Sequence, residues 1–514
     1  MFVNPNIKPC ASECATEEYP PPQSRGRQSS SSLGASRGCL LLFIFIMAFS
    51  ALSARAQSST AGGSQTSYAG TLFAQTSSSQ NSGSVPSGTA TNEVLGLTLR
   101  DAIQRAVRYN LGLIESGENA RSARGERLLA LSDLLPRVTA SATENVNQLS
   151  LVPSGISQAH IAGIPTVIKP FAYGEAGANL SWTLFSYEFI QRFRAARTAE
   201  EAAKLSYNDT LDVITVTVGN AYLQVIEANS RITAQDAQVR NAQASYDQAL
   251  RQFQAGTAPR IDVTRTQVQL HTEQYNLSIA RNNFAIAKLV LSRAIGLSLG
   301  QAFETTDALP YADITPPSVD EALKMAFAGR SDFLAARAAQ KAAERTLSAA
   351  KAQRYPVVAT NGNYTVVGPT FSQSRGTFGF QAGVSVPVFT GGQIAGDITQ
   401  ADAALRQRSA EAENVRGQID YDVRTAFLNL NAALEQVGVA RQNVDLANEN
   451  LSRSKERFGA GVTDSVEVVQ SEQSLASAND QYITALYSHN IAKLSLARAL
   501  GVARSNYSQY LGGK

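Results

Sequence analysis

Cysteine is scarce in this sequence and is confined to the N-terminal region. The 514 residues contain three cysteines, Cys10, Cys14 and Cys39. All three precede or begin an apolar run over residues 39–52 that we expect to be removed during export. The processed chain would then contain none, which excludes a disulfide framework and a cysteine-based zinc site.

Charge and histidine are also limited. The net charge is +3 and 17% of the residues are charged, so the chain offers no basic surface of the kind that binds nucleic acid. The three histidines, His160, His271 and His489, lack the spacing of metal ligands. The glycine-rich stretch 391–396 is followed by Asp397 where a phosphate-binding loop requires lysine. We therefore expect no catalytic residue, no metal and no cofactor.

The N-terminal region indicates export. The apolar run 39–52 is shorter than the roughly 20 residues of a membrane-spanning helix, and it ends in Ala54-Arg55-Ala56, a cleavage pattern. We predict a signal peptide over residues 1–56, with an N-terminal anchor helix as the alternative. Residues 57–94 are rich in Ser, Thr and Gly, which predicts a disordered linker.

Proline is absent from two long stretches. None occurs between Pro170 and Pro259, and none follows Pro387. The sequence therefore predicts continuous helices over about 188–254 and 392–458, each about 100 Å long at 1.5 Å per residue. Their many small and amide side chains predict close lateral packing against other helices.

Two segments of strict alternation precede these helices. They predict β-hairpins over about 138–185 and 357–389, with Trp182, Phe378 and Phe380 on the apolar face. A soluble sandwich is one interpretation. Strands of about 9–11 residues with apolar and polar faces are also typical of outer-membrane barrels, and we favour that interpretation. Four strands cannot close a barrel, so the chain would have to oligomerise.

The succession of a β-hairpin, a long helix and a glycine-centred turn occurs twice along the chain. Gly461 follows Gly256 by 205 residues, and each glycine is suited to the left-handed turn that ends a helix. Asp464 and Glu467 have the spacing of a capping box at the start of the next helix. We predict a first repeat, a connection, a second repeat and a tail over residues 95–297, 298–317, 318–502 and 503–514.

The helical turns resemble a motif of the TolC-like outer-membrane efflux proteins, over residues 95–503 as a whole. The motif is Arg-aromatic-x-x-Gly, followed after six residues by an acidic residue. The second turn matches it fully, and the first matches it except that Gln252 stands where the family usually has Arg. The matching residues are Arg457, Phe458, Gly461 and Glu467 in the second turn, and Phe253, Gly256 and Asp262 in the first.

The resemblance implies an α+β membrane protein that forms a homotrimer. Each chain would give four strands to a twelve-stranded outer-membrane barrel and its helices to a periplasmic helical barrel. It also implies a passive exit duct that docks a periplasmic adaptor and an inner-membrane transporter, in tripartite efflux or type I secretion. Asp262, Glu467 and Phe458 would lie at the tip gate. The docking turns would contain Phe253, Gly256, Arg457 and Gly461. The alternative is an exported trimeric coiled-coil protein with a structural or adhesive role.

Overall fold

The computed structural model describes residues 83–154, 166–306 and 316–504. The predicted signal peptide and the first part of the linker, 57–82, lie outside the described residues. So do 505–514 of the predicted tail and parts of the first hairpin loop and of the connection between the repeats.

The described end of the predicted linker is not disordered, and that prediction was wrong from residue 83 onward. The Val85 amide donates to the Tyr109 carbonyl at 2.8 Å, and the Ser87 amide donates to the Gly296 carbonyl at 3.1 Å. Residues 83–94 are polar, but their backbone groups pair with helix ends distant in sequence. Composition alone could not reveal those partners.

The described chain contains the same order of elements in each half. The long helices begin and end within one residue of their predicted bounds. The first half has β1 (Leu95–Leu97), α1 (Leu99–Tyr109), α2 (Leu111–Ser132), β2 (Arg137–Ser150), β3 (Val167–Phe185), α3 (Tyr187–Gln254) and α4 (Arg260–Ile295). The second has β4 (Phe303–Thr305), α5 (Val319–Gly329), α6 (Ser331–Ala352), β5 (Val357–Gly368), β6 (Arg375–Ser385), α7 (Gln393–Gly459) and α8 (Ser465–Ala499).

Local sequence explains where the shorter helices begin. Ser318 forms a capping box with Glu321 at the start of α5, as the spacing of these residues predicts. The α1–α2 break occurs at Asn110, whose side chain accepts a hydrogen bond from the Gly112 amide at 3.0 Å. Arg330 occupies the corresponding break between α5 and α6. The two breaks lie next to Gly112 and Gly329, and glycine weakens the interior of a helix.

The main sheet has the strand order β2–β3–β5–β6, and every neighbouring pair is antiparallel. Cross-strand partners lie on one face, so the register shows which side chains share it. One face includes the row Val138, Leu180, Gly362 and Phe380, and the other includes Thr139, Asn179, Asn363 and Gly379. The apolar face is exposed at Val138, Phe378 and Phe380. In the described chain no second sheet covers it, so the sandwich interpretation lacks support.

The second hairpin is shorter than predicted. Strand β6 ends at Ser385, although the predicted hairpin continues to Phe389. Pro387 has no amide hydrogen to donate to a neighbouring strand, and this accounts for the early end.

The long helices pack side by side. Helices α3 and α8 contact each other in the middle, α4 packs on α3, and α7 packs on α8. Two apolar cores lie where the short helices join them, and residues 205 positions apart occupy corresponding places. These pairs include Ile214 and Ile419, Tyr222 and Phe427, and Leu291 and Leu496. None of the helices in the described part of the chain combines the length and apolar character that crossing a bilayer requires.

Candidate functional site

The two helical turns have the same backbone geometry. Gly256 and Gly461 adopt φ angles of +73° and +72°, in the left-handed region that favours glycine. Each glycine amide donates to the carbonyl three residues earlier, on Phe253 at 3.0 Å and on Phe458 at 3.1 Å. No heavy atom lies within 4 Å of a Cβ built on either glycine, so both turns are open on that side.

Asp262 joins the two helical hairpins. Its Oδ1 accepts a 2.6 Å hydrogen bond from Ser465 Oγ on α8 and lies 3.2 Å from Arg265 Nη1. Arg265 Nη1 also lies 3.0 Å from Ser465 Oγ. Asp262 is 5% exposed, so its carboxylate lies inside the contact between α4 and α8. The sequence predicted Asp262 as a tip residue but gave no sign of Ser465 or Arg265.

Glu467 occupies the corresponding position of the second hairpin but has different contacts. It accepts a 2.5 Å hydrogen bond from Thr463 Oγ1, and Arg457 Nη2 lies 3.6 Å from its Oε2. The predicted capping box is only half present: Asp464 accepts from the Val466 amide at 3.0 Å, whereas Glu467 contacts side chains. Glu467 remains about one-third exposed and can interact with solvent ions.

The two aromatic residues of the motif differ in burial. Phe458 is buried in an apolar cluster with Leu451, Val468 and Leu475, and the sequence did not predict this burial. The phenyl ring is more stable in this cluster than in water, because burying a large apolar side chain lowers the free energy of the folded chain by about 1.5–3 kcal/mol. Phe253 and Arg457, by contrast, are exposed beside the turns.

Gln252 stands where the family motif has arginine, and it has a defined role. Its Nε2 donates to the Phe458 carbonyl at 3.1 Å, across the two hairpins. Gln252 therefore adds a further hydrogen bond between the hairpins to the one that Asp262 accepts.

A buried polar layer lies above the tip. Glu472 Oε1 accepts from Ser245 Oγ at 2.6 Å and lies 3.7 Å from Lys455 Nζ. Its Oε2 is buried and has no hydrogen-bond partner among the described residues. Burial raises the pKa of Glu472; Ser245 and Lys455 oppose this, and the charge of Glu273 adds to it.

A second charged cluster lies at the break between α5 and α6. Arg330 is buried, and its guanidinium contacts Asp332 at 2.6 Å and Asp422 at 2.8 Å. Burial opposes ionisation of Asp332, but the hydrogen bond and charge of Arg330 outweigh it and lower the pKa of Asp332. Arg330 thus ties the break between α5 and α6 to α7, and nearby Arg498 binds Asp209 and ties α8 to α3.

These arrangements suit a mechanical role better than a chemical one. The described residues contain no group of three or more His, Cys, Asp or Glu side chains that could hold a metal ion. The site consists of two open turns, polar contacts between two hairpins, and an apolar cluster beneath them. Such contacts can hold the hairpins together or release them.

Comparisons with known proteins identify the family. The family model described as "Outer membrane efflux protein" matches residues 102–297 and 322–502. The chain is 22% identical to outer membrane protein TolC of Vibrio cholerae, over 80% of this chain and 93% of that protein. It is 23% identical to the alkaline protease secretion protein AprF of Pseudomonas aeruginosa, over 63% of this chain and 69% of that protein.

Solved structures agree on the fold. The outer membrane protein VceC of Vibrio cholerae superposes with a TM-score of 0.67 at 19% identity, covering 78% of this chain and 96% of that one. The alternative of a coiled-coil rod explains neither the sheet nor the family match. The chain therefore belongs to the outer membrane efflux protein family and is an outer-membrane channel of an efflux or secretion system.

Proposed function

We propose that the chain assembles as a homotrimer, with one twelve-stranded outer-membrane barrel and a periplasmic tunnel of long helices. The observation that carries this proposal is the four-stranded sheet. It has one apolar exposed face, one polar face and unpaired edges at β2 and β6. Lipid cannot satisfy the backbone groups of an open strand edge, whereas a closed barrel leaves no edge.

Strand direction favours closure by identical copies. All neighbouring strands are antiparallel, so β2 and β6 run in opposite directions. Strand β6 of one copy can therefore pair with β2 of the next in the same antiparallel pattern. The alternating side chains would then place the apolar face toward lipid and the polar face toward the lumen.

The two halves of the chain are inferred to be a duplicated unit. The turn glycines share their φ angle and lie 205 residues apart. The two apolar cores are built from residues at that same offset, such as Ile214 and Ile419. Three copies of a duplicated unit give six similar helical hairpins around one axis, which suits a tunnel wall.

The channel is proposed to be a passive duct whose helical tip docks a periplasmic adaptor and, through it, an inner-membrane transporter. The open turns at Gly256 and Gly461, with the exposed Phe253 and Arg457 beside them, support this docking role. Glu467 is proposed as the acidic residue of the tip opening. Asp262 is proposed to hold the two hairpins of one copy together. The system served would be tripartite efflux or type I secretion.

The assembly is tested by the mass of the processed chain. After extraction from outer membranes in detergent, light scattering and native mass spectrometry should give three copies per particle. The N-terminus should lie near Gln57. A monodisperse monomer that stays in solution without detergent would overturn the proposal.

A further inference from the structure

Positive charge is concentrated where helices α3 and α6 meet the sheet. Strand β3 leads into α3, α6 leads into β5, and β3 pairs with β5. The two helices also pack side by side. Residues 187–197 and 345–355, which lie nearest the strands, contain six basic side chains and one acidic side chain. The whole chain has a net charge of only +3, so this end of the two helices is unusually basic.

Two tyrosines indicate which side of this helix pair continues the apolar face of the sheet. Phe185 pairs with Val358, and Val358 pairs with Val384, in a row of that face. Tyr187 follows Phe185 by two residues and contacts Tyr355 edge-on, with ring centroids 5.6 Å apart. Both tyrosines are exposed, and tyrosine is enriched where a membrane meets water. This favours the tyrosine side of α3 and α6 as the side nearest the lipid headgroups.

Basic side chains follow the tyrosines on the same side. Arg194 and Arg197 lie seven and ten residues after Tyr187 on α3. Lys351 lies four residues before Tyr355 at the end of α6. Each of these spacings returns to the same face of a helix. All three basic side chains are exposed, and they form what we call the basic patch.

Acidic side chains do not neutralise the basic patch. Glu188, the acidic residue nearest the strands, is bound by Arg192 at 2.6 Å. Glu201 and Glu344, on the same side as the patch, lie farther from the strands than the patch residue of their own helix that is nearest to them. Among the described residues, no ion pair involves a member of the patch. The patch is therefore available to an anionic partner.

We propose that the basic patch binds the headgroups of anionic phospholipids in the periplasmic leaflet of the outer membrane. Arginine and lysine both bind phosphate, and arginine can do so through two parallel hydrogen bonds. The inference rests on the proposed orientation of the sheet, with its apolar face toward lipid. It adds the class of lipid and the residues that bind it.

The patch lies at the depth that headgroup binding requires. At 1.5 Å per residue, Lys351 and Arg194 lie about 6 and 10 Å from their tyrosines along the helix axis, and Arg197 lies about 15 Å away. The headgroup region is about 5–8 Å thick on each side of a bilayer, and electrostatic attraction extends about 8 Å farther at physiological ionic strength. The long side chains can also extend toward the headgroups. All three charges are thus within reach of an anionic membrane surface.

Native mass spectrometry of the detergent-extracted channel tests this proposal with two lipids that have the same acyl chains. Phosphatidylglycerol has a net negative charge, whereas phosphatidylethanolamine has none. The unmodified channel should bind phosphatidylglycerol more tightly. Each basic side chain near an anionic surface strengthens binding about fivefold, which is about 1 kcal/mol. The Arg194→Gln, Arg197→Gln, Lys351→Gln triple variant should therefore bind phosphatidylglycerol about 100-fold more weakly, with phosphatidylethanolamine binding unchanged.

Two further variants serve as controls. The Arg194→Lys, Arg197→Lys variant keeps the charge and should keep the preference for phosphatidylglycerol. The Arg240→Gln, Arg441→Gln, Arg453→Gln variant removes three exposed charges from the lower parts of α3 and α7, about 70 Å or more from the strands. It should bind phosphatidylglycerol as the unmodified channel does.

Three results would overturn the inference. The first is equal affinity of the unmodified channel for the two lipids, and the second is an unchanged affinity for phosphatidylglycerol in the triple variant of the patch. The third is equal weakening in the triple variant of the lower helices. A shift of the reversal potential in the triple variant of the patch, with its lipid affinity unchanged, would show that the patch faces the tunnel. The same spectra give the number of copies, so a particle without three copies would contradict the proposed homotrimer separately from the lipid preference.

Discussion

Ser465 Oγ donates a 2.6 Å hydrogen bond to Asp262 Oδ1, although 203 residues separate them in the chain. The bond joins the first turn of α4 to the first turn of α8, one helix from each hairpin. Asp262 is buried, so water does not compete readily for this carboxylate. A hydrogen bond to a charged group contributes about 1.5–3 kcal/mol. The two hairpins of one copy are thus held together at the end proposed to open.

Removing this bond should loosen the tip. We expect Asp262→Ala and Ser465→Ala each to raise single-channel conductance in planar bilayers. In the double variant the effects should be less than additive, because both remove the same contact. Thr264→Ala, on the same turn of α4 and bonded only to its own helix, is the control. Unchanged conductance in both single variants would show that this bond does not restrict the opening.

Glu467 is expected to set ion selectivity, and Asp262 is not. Glu467 is partly exposed, and a trimer would bring three copies of it together at the tip, where acidic rings favour cations. Glu467→Gln should therefore move the reversal potential in a potassium chloride gradient toward zero. Asp262→Asn should move it much less, because Asp262 lies inside the contact between the hairpins. Equal shifts in the two variants would contradict this assignment.

The turn glycines are expected to matter for docking and not for assembly. Gly461→Trp adds a bulky side chain on an open surface at a positive φ, where any non-glycine residue is strained by about 1–2 kcal/mol. Trimers should still form, while export through the assembled pump should fall strongly. Gly256→Trp should act in the same way.

Gly396→Trp provides the control for this experiment. Gly396 also has no atom within 4 Å of a built Cβ, but it lies near the start of α7, far from the tip. Its substitution should leave export unchanged. Normal export by both tip variants would rule out docking through these turns.

The features that the sequence predicted depend on neighbouring residues, and those that it missed depend on contacts between residues far apart in the chain. The long helices, the turn glycines and the Ser318 capping box depend on neighbouring residues, and the sequence predicted them. The contacts of Phe458 with Val468 and of Asp262 with Ser465 were not predicted, because each partner lies on another helix. The packing of residues 83–94 was missed for the same reason. Periodicity shows which face of a helix is apolar but not which distant side chain meets it.

The buried arginine between α5 and α6 should be important for stability. Arg330→Ala would leave the carboxylates of Asp332 and Asp422 without their main partner, which costs about 3–5 kcal/mol for a buried pair. We expect a large fall in the thermal unfolding temperature. Arg424→Ala, which removes an exposed pair with Asp420, should cost about 0–1 kcal/mol and is the control. Equal effects of the two substitutions would contradict the role assigned to burial.

Glu472 should make the contact between the hairpins more stable in mild acid. Burial raises the pKa of this carboxyl, so between its ordinary value of about 4.3 and its folded value the folded chain binds more protons than the unfolded chain. The stability that protonation contributes is fully present below the unfolded pKa and is lost as pH rises through the folded pKa. Glu472→Gln mimics the protonated carboxyl, so it should raise the unfolding temperature at pH 7 and have little effect near pH 4.5.

The surroundings of Glu472 limit the size of this effect without reversing it. Lys455 favours the charged form, whereas Glu273 disfavours it, and burial is the largest influence. The side-chain amide introduced by Glu472→Gln could still accept from Ser245, and Lys455 keeps Asn241 as a partner at 3.3 Å. The unfolding temperature, measured by circular dichroism from pH 4.5 to 8, should therefore depend less on pH in the variant than in the unmodified channel. Glu413→Gln changes an exposed carboxylate on α7 and should leave the profile unchanged. A lower stability of Glu472→Gln at pH 7 would contradict this prediction. It would mean that the ion pair with Lys455 stabilises the folded chain by more than burial of the charged carboxylate destabilises it.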